Sequence, residues 1–259
     1  MTTRTFFAAL LAGFAGGLAG GLFGVGGGIV LVPMLTAFFG LSQHRAHGTS
    51  LGAIGATGIA GLVVYGTHGN VAWVPAAVMC LTSVLTARLG AALADRTSRR
   101  GLMLAFGVFL VAVAARILWK APAGTAGHGL HGAGGVAASL ALGAVVGVFS
   151  GYLGVGGGMI AVPVLTLLFG MTQQTAQGTS LALILVTAPF GAFEHDRRGN
   201  VARNLLPGLA LGAFLGAPAS SLLAQRLPQA PLARAFAVFL LLNAVRIFWS
   251  MRKQIRGGS

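Results

Sequence analysis

Long apolar stretches at 6–39, 51–66, 71–94 and 101–119 make up most of the first half of the chain, with polar residues confined to short clusters between them. Each approaches or exceeds the ~20 residues that a helix needs to cross the ~30 Å hydrocarbon layer of a bilayer. They are continuously apolar and do not alternate, which predicts helices and excludes the strands of a β-barrel. The pattern reads as a glycine-rich helix (6–22), a break at Gly24-Val25-Gly26-Gly27-Gly28, a short helix (28–39) and a polar turn (41–48). Three longer helices follow, at 50–66, 72–94 and 101–119. A Gly/His-rich stretch, 121–135, has no periodicity and reads as a linker. Beyond it the same order returns: a helix at 136–152, a break, a short helix at 158–169, a turn at 171–178, and helices at 180–194, 203–224 and 232–250.

The return is a repeat in sequence as well as in pattern. Comparing 21–51 with 151–181 without a gap, 18 of 31 positions are identical. Gly69-Asn70-Val71 recurs as Gly199-Asn200-Val201, and Arg116-Ile117-Leu118-Trp119 as Arg246-Ile247-Phe248-Trp249. The expected organisation is a first transmembrane repeat over 1–120, the linker 121–135 and a second repeat over 136–259. In membrane proteins, two copies of one unit usually build a substrate path where they meet. Residues 6–22 follow Arg4 as a signal peptide would, but their counterpart lies inside the chain, so the segment is read as retained.

Composition strengthens the membrane reading. Residues are 56% hydrophobic and 8% charged, with a mean hydropathy of +0.86, whereas a soluble domain carries about 25% charged residues. The fold class expected is an all-α integral membrane protein of two homologous repeats, each with a broken or re-entrant helix pair and three longer helices. The net charge of +14 does not signal nucleic acid, because the basic residues flank the apolar runs. Their bias also flips between the copies. The turn near 41–47 holds Arg45 and the loop 95–100 holds three arginines, whereas in the second copy the charge sits in 194–203 and the turn 171–177 has none. Both termini on the cytoplasmic side, with the second copy inverted, satisfies the positive-inside rule. Arg116, Lys120, Arg226 and Arg234 are then the only basic residues on the far side. The short helix, at ~1.5 Å per residue, is too short to span the membrane, which favours a re-entrant pair.

The candidate chemistry is correspondingly spare. A glycine break followed at once by a helix frees backbone N–H groups at a positive helix end, which suits an anion. That makes Gly24, Gly26, Gly27 and Gly28, with Gly154, Gly156, Gly157 and Gly158, candidates for the substrate path. Glycines also simply permit close helix packing in membranes. Thr49 and Ser50, with Thr179 and Ser180, open apolar helices. They would cap those helices and could also present hydroxyls to a ligand. Gln43 and His47, with Gln173 and Gln177, offer donors for the oxygens of an oxyanion, and turn residues of this kind are often merely exposed. Cys80 is the sole cysteine, which excludes an internal disulfide. The acids are Asp95, Glu194 and Asp196, all at helix ends or loops on this map. A cation transporter or proton pump usually places one within a span. No phosphate-binding P-loop is present. His128 and His131, in the linker, have the look of solvated residues. No metal and no cofactor is expected.

The two copies share GVGGG, then Val32-Pro33 or Val162-Pro163, then Gly48-Thr49-Ser50-Leu51 or Gly178-Thr179-Ser180-Leu181. In this combination the chain resembles, over nearly its whole length, the TauE/SafE sulfite exporter family, also called the 4-toluene sulfonate uptake permeases. The resemblance implies secondary transport, without ATP, of sulfite, sulfonates or sulfoacetate across the bacterial inner membrane. It implies roles for the motif glycines and for Thr49, Ser50, Thr179 and Ser180. The expected partners are a small sulfur oxyanion and the lipid bilayer, with a second copy of the chain as a further candidate and no nucleic acid. An anion channel and a non-transporting subunit of a membrane complex remain open alternatives. An enzyme is not expected, because no nucleophile, base or metal cluster stands in the apolar region.

Overall fold

The computed structural model describes residues 3–94, 99–119, 132–153 and 157–256. These residues form α1 (Thr3–Phe23), α2 (Gly28–Phe39), α3 (Gln43–Thr67), α4 (Trp73–Ala94), α5 (Arg99–Trp119), α6 (Gly132–Leu153), α7 (Gly158–Leu167), α8 (Gln173–Arg197), α9 (Leu206–Arg226) and α10 (Gln229–Arg256). Among the described residues, α1, α3, α6, α8, α9 and α10 are long and apolar enough to cross a membrane. The protein is an all-helical, multi-pass membrane protein. Leu81 and Leu85 on α4 and Leu242, Val245 and Trp249 on α10 stand well exposed, as a lipid-facing exterior requires.

Helices pair across the two halves. The first helix of each half lies along the fourth helix of the other, α1 on α9 and α4 on α6, while α3 packs on α8 and α5 on α10. Glycine makes the first pairing. Gly13, Gly17 and Gly21 meet the backbones of Leu209, Ala213 and Ala217 in turn, so α1 and α9 run in the same direction, and a methyl group at any of the three would overlap a carbonyl oxygen. Gly143 and Gly147 meet Met79 and Ser83 in the same manner. There the hydroxyls of Thr82 and Thr86 also donate to Leu140 O and Ala144 O, at 2.8 and 2.9 Å. Small residues and interhelical hydroxyl bonds replace the hydrophobic driving force that lipid removes. α3 and α8 run in opposite directions, since Gly48 meets His195 and Asn200 while Gly178 meets Tyr65 and Asn70.

The first break behaves as a hairpin. α2 doubles back on α1, with Leu31 beside Gly16 and the Gly26–Gly27 backbone beside Gly20. At 12 and 10 residues, α2 and α7 reach only ~18 and ~15 Å, short of the ~30 Å of hydrocarbon.

The starts of three helices differ most from expectation. α3 and α8 begin at Gln43 and Gln173, seven residues before the predicted starts, so the clusters read as turns are helix. Ser42 and Thr172 are the caps, accepting from Arg45 N at 3.5 Å and Thr175 N at 3.1 Å. Polarity ended the apolar pattern there without ending the helix, and Thr49, Ser50, Thr179 and Ser180 lie in the second turn and are not caps. The linker lies outside the described residues as far as 131, and α6 already starts at Gly132.

Candidate functional site

The first break is built from backbone that only glycine adopts readily. Gly24, Gly26 and Gly27 have φ of 68°, 75° and 87°, in the left-handed region that costs other residues most. Gly27 caps α2, and Gly157, with φ of 70°, caps α7; neither end has a side-chain cap. Gly27 O accepts from Val30 N and Leu31 N, and Gly157 O from Ile160 N and Ala161 N. The N–H groups of Gly28, Ile29, Gly158 and Met159 therefore belong to the set that a helix cannot pair within itself.

The two breaks meet. A methyl group on Gly158 would lie 2.7 Å from both Gly24 O and Val25 Cα, and 3.0 Å from Ser180 Oγ. The Ser180 hydroxyl donates to Gly24 O at 2.8 Å. Gly24 also presses on Gln177, whose Cα would stand 2.6 Å from an added methyl. Gly24, Gly158, Gln177 and Ser180 thus form one cluster where α1, α7 and α8 converge, with Gly26 against Ile54 and Ile184 at its side. Gly154 and Gly156 lie outside the described residues. Gly28 is buried at the start of α2.

Two fully buried amides stand in the first two turns of α8. Gln173 is fully buried, and neither of its amide atoms has a hydrogen-bond partner; Gln177 is fully buried with Nε2 unmatched. The Tyr65 hydroxyl lies 2.9 Å from Gly21 O and 2.9 Å from Gln177 Oε1. A phenol carries one proton, so both contacts form together only when the amide turns to place Nε2 on the hydroxyl oxygen. Then Gln177 donates to Tyr65 and Tyr65 donates to Gly21. The counterparts Gln43 and His47 are only partly buried.

The predicted hydroxyls divide by role. Thr49 Oγ1 donates to Arg45 O at 2.6 Å and accepts from Ala202 N at 2.9 Å. Thr179 Oγ1 repeats this with Thr175 O at 2.6 Å and Ala72 N at 2.9 Å. Each threonine therefore clamps the start of the other half's fourth helix, and its proton is already committed. Ser50 Oγ donates to His47 O at 2.9 Å.

Arg246 is the residue that pattern reading passed over. It recurs with Arg116 and reads in sequence as a flank of an apolar run. In the structure its guanidinium donates from Nη1 to Ile29 O at 2.9 Å. Ile29 O would ordinarily accept from the residue four positions on, which is Pro33 and has no N–H. Arg246 supplies the missing donor and holds positive charge against the first turn of α2. The signal available in sequence was the equal 130-residue offset of the Arg and Pro pairs.

A cavity of about 260 Å³ opens near the C-terminal end of α8. Ser150 and Thr187, both nearly buried, lie among its walls, with Leu51 and Phe190 as apolar lining and His195, Arg197 and Arg198 beyond. Glu194 also lines it, bridged to Arg198 at 2.9 Å, so the carboxylate there is compensated. Asp196 pairs outside with Arg203 at 2.7 Å, and those hydrogen bonds push the Arg203 pKa further above its usual value. Asp95, His128 and His131 lie outside the described residues. Among the described residues no cluster of His, Cys, Asp or Glu could hold a metal ion.

Residues 9–247 match the family model described as Sulfite exporter TauE/SafE. The chain is 28% identical over 253 residues to a probable membrane transporter protein of Xylella fastidiosa strain Temecula1, covering 96% of this chain and 97% of that one. It is 27% identical over 239 residues to the probable membrane transporter protein YunE of Bacillus subtilis strain 168, covering 82% and 88%. No solved structure matches significantly.

Proposed function

The chain belongs to the TauE/SafE sulfite exporter family of membrane transporters, and from that premise we propose that it is a secondary carrier of a small sulfur-containing oxyanion. The anion binds between the two halves, on the free N–H groups at the starts of α2 and α7 and on the buried amides of Gln173 and Gln177. The two repeats are inverted in the bacterial inner membrane with both termini cytoplasmic, and alternating exposure of the site carries the substrate across. Units 1–120 and 136–259 are the moving partners.

The observation that carries this reading is the junction of the two breaks, where Gly158 packs on Gly24 and Val25 beside the buried Gln177, which keeps one amide atom without a partner while the other meets Tyr65. Positive helix ends and N–H donors stabilise negative charge in a low-dielectric interior, and sulfite and sulfonates present oxygens of that kind. The opposite directions of the counterpart helices α3 and α8 support inversion, because matching helices point opposite ways when one half is the other turned over.

Purified protein in liposomes tests the proposal. Counterflow of labelled sulfite, sulfoacetate, sulfate and taurine should select a sulfur oxyanion, and Gly27→Leu, whose side chain would overlap Gly16 O, or Gly157→Leu, at a positive φ, should abolish that flux by breaking the glycine junction. Unimpaired flux in both variants would remove the breaks from the mechanism, and large unitary currents would replace the carrier with a channel.

A further inference from the structure

The repeat makes it possible to ask whether the two ends of the molecule are in the same state, because each residue at one end has a partner 130 positions away at the other. They are not. The wall of the cavity includes Gly151, Gly191 and His195, all partly exposed. Their counterparts Gly21, Gly61 and Tyr65 are buried, Tyr65 completely. Phe190 is 49% exposed at the cavity, while its counterpart Ala60 is 4% exposed. Thr187 lines the cavity, and its counterpart Thr57 is fully buried with its hydroxyl unmatched.

Closure at the second end has a specific fastening. Tyr65, from α3, reaches Gly21 O on α1 and Gln177 on α8, both at 2.9 Å, and so joins three helices drawn from both halves. The matching trio at the open end is His195, Gly151 and His47, on α8, α6 and α3. His195 and Gly151 both line the cavity, and imidazole, like phenol, carries a donor that can reach a carbonyl.

We propose that the cavity beside His195 is the open port of the anion path and that Tyr65, bonded to Gly21 and Gln177, is the latch that shuts the opposite port, a part His195 takes against Gly151 when the molecule changes state. The proposal rests on the carrier reading above, since a path with two ports needs one shut at a time. The port suits a small anion. Arg197 and Arg198 stand at it against the single carboxylate of Glu194, and Ser150 lines it too, while the Thr187 hydroxyl donates to Leu183 O at 3.0 Å. Tyr65 and His195 are positioning residues, acting on the equilibrium between the two states and not on the substrate itself.

The test reads that equilibrium without substrate. In a Cys80→Ala background, Thr187→Cys and Thr57→Cys are each labelled with a membrane-impermeant thiol reagent applied to either face of the membrane. Thr187→Cys should react from one face, and Thr57→Cys should be protected. Tyr65→Phe keeps the ring and removes the hydroxyl, so labelling of Thr57→Cys from the other face should rise roughly three- to tenfold, the equivalent of about one hydrogen bond. His195→Phe weakens the alternative closure and should lower the same labelling. Opposite signs are the mark of a latch exchange, since simple loosening of the fold would raise labelling in both variants. A change below twofold in Tyr65→Phe, or shifts of the same sign in both, overturns the proposal. Failure of sulfur-anion counterflow with the labelling pattern intact would remove the substrate assignment and leave the latch standing. Normal counterflow with unresponsive labelling would remove the latch alone.

Discussion

Replacing Gln173 with leucine should make the protein more stable and less active at once. The side chain is fully buried and neither amide atom has a partner. A buried polar group left unmatched costs about 1–3 kcal/mol, and leucine fills a similar volume without that cost. Gln173→Leu should therefore stabilise the fold by about 1–3 kcal/mol, which for a chain of this size raises the melting temperature by several degrees. If the amide serves the anion, the variant also loses a hydrogen bond to a charged group, worth about 1.5–3 kcal/mol. The apparent affinity for substrate should then fall by roughly 10- to 150-fold. Thermal unfolding in detergent and counterflow in liposomes read the two effects separately. A lower melting temperature with transport intact would show that the amide is structural and that the site lies elsewhere.

Further outcomes follow from the same contacts. Thr49→Val and Thr179→Val should each destabilise the protein by about 1–3 kcal/mol, because each leaves a buried N–H, of Ala202 or Ala72, without its acceptor; near-equal losses in detergent melts would support the reciprocal clamp. Arg246→Met should destabilise by a similar amount by stranding Ile29 O, and Pro33→Ala should restore much of it by returning an N–H to that carbonyl. A double-mutant cycle with no coupling between these two positions would contradict that account. Gly17→Val should abolish accumulation of folded protein, since its side chain would overlap Ala213 O; normal yield of a folded variant would disprove the tight α1–α9 seam.

Much of this was legible in sequence for a physical reason. Helices in lipid must satisfy their own backbone, so apolar length and glycine breaks translate directly into elements, and a repeat shifted by 130 residues marks matching elements in both halves. The convergence of Gly158 on Gly24 could be anticipated only as a general consequence of two copies meeting. What stayed hidden depends on tertiary partners. Thr49 and Thr179 read as caps or ligand hydroxyls, and nothing local to either reveals that Ala202 and Ala72 occupy them. Arg246 read as a boundary charge because its role depends on Pro33, more than 200 residues away in the chain. The different states of the two ends were invisible for a similar reason. The repeat makes the halves look alike, and it takes tertiary packing, such as that of Tyr65 against Gly21 and Gln177 and the exposure of Phe190 against buried Ala60, to distinguish them.

Equilibrium binding decides whether an anion rests on the buried amides of Gln173 and Gln177. Labelled sulfite and a small organosulfonate would be titrated against purified wild-type protein and against the Gln173→Leu/Gln177→Leu variant in detergent. This site should give saturable binding by the wild type to at least one of them, weakened tenfold or more in the variant while its helical content is unchanged. Undiminished binding by the variant, or no binding of either anion by the wild type, would contradict it.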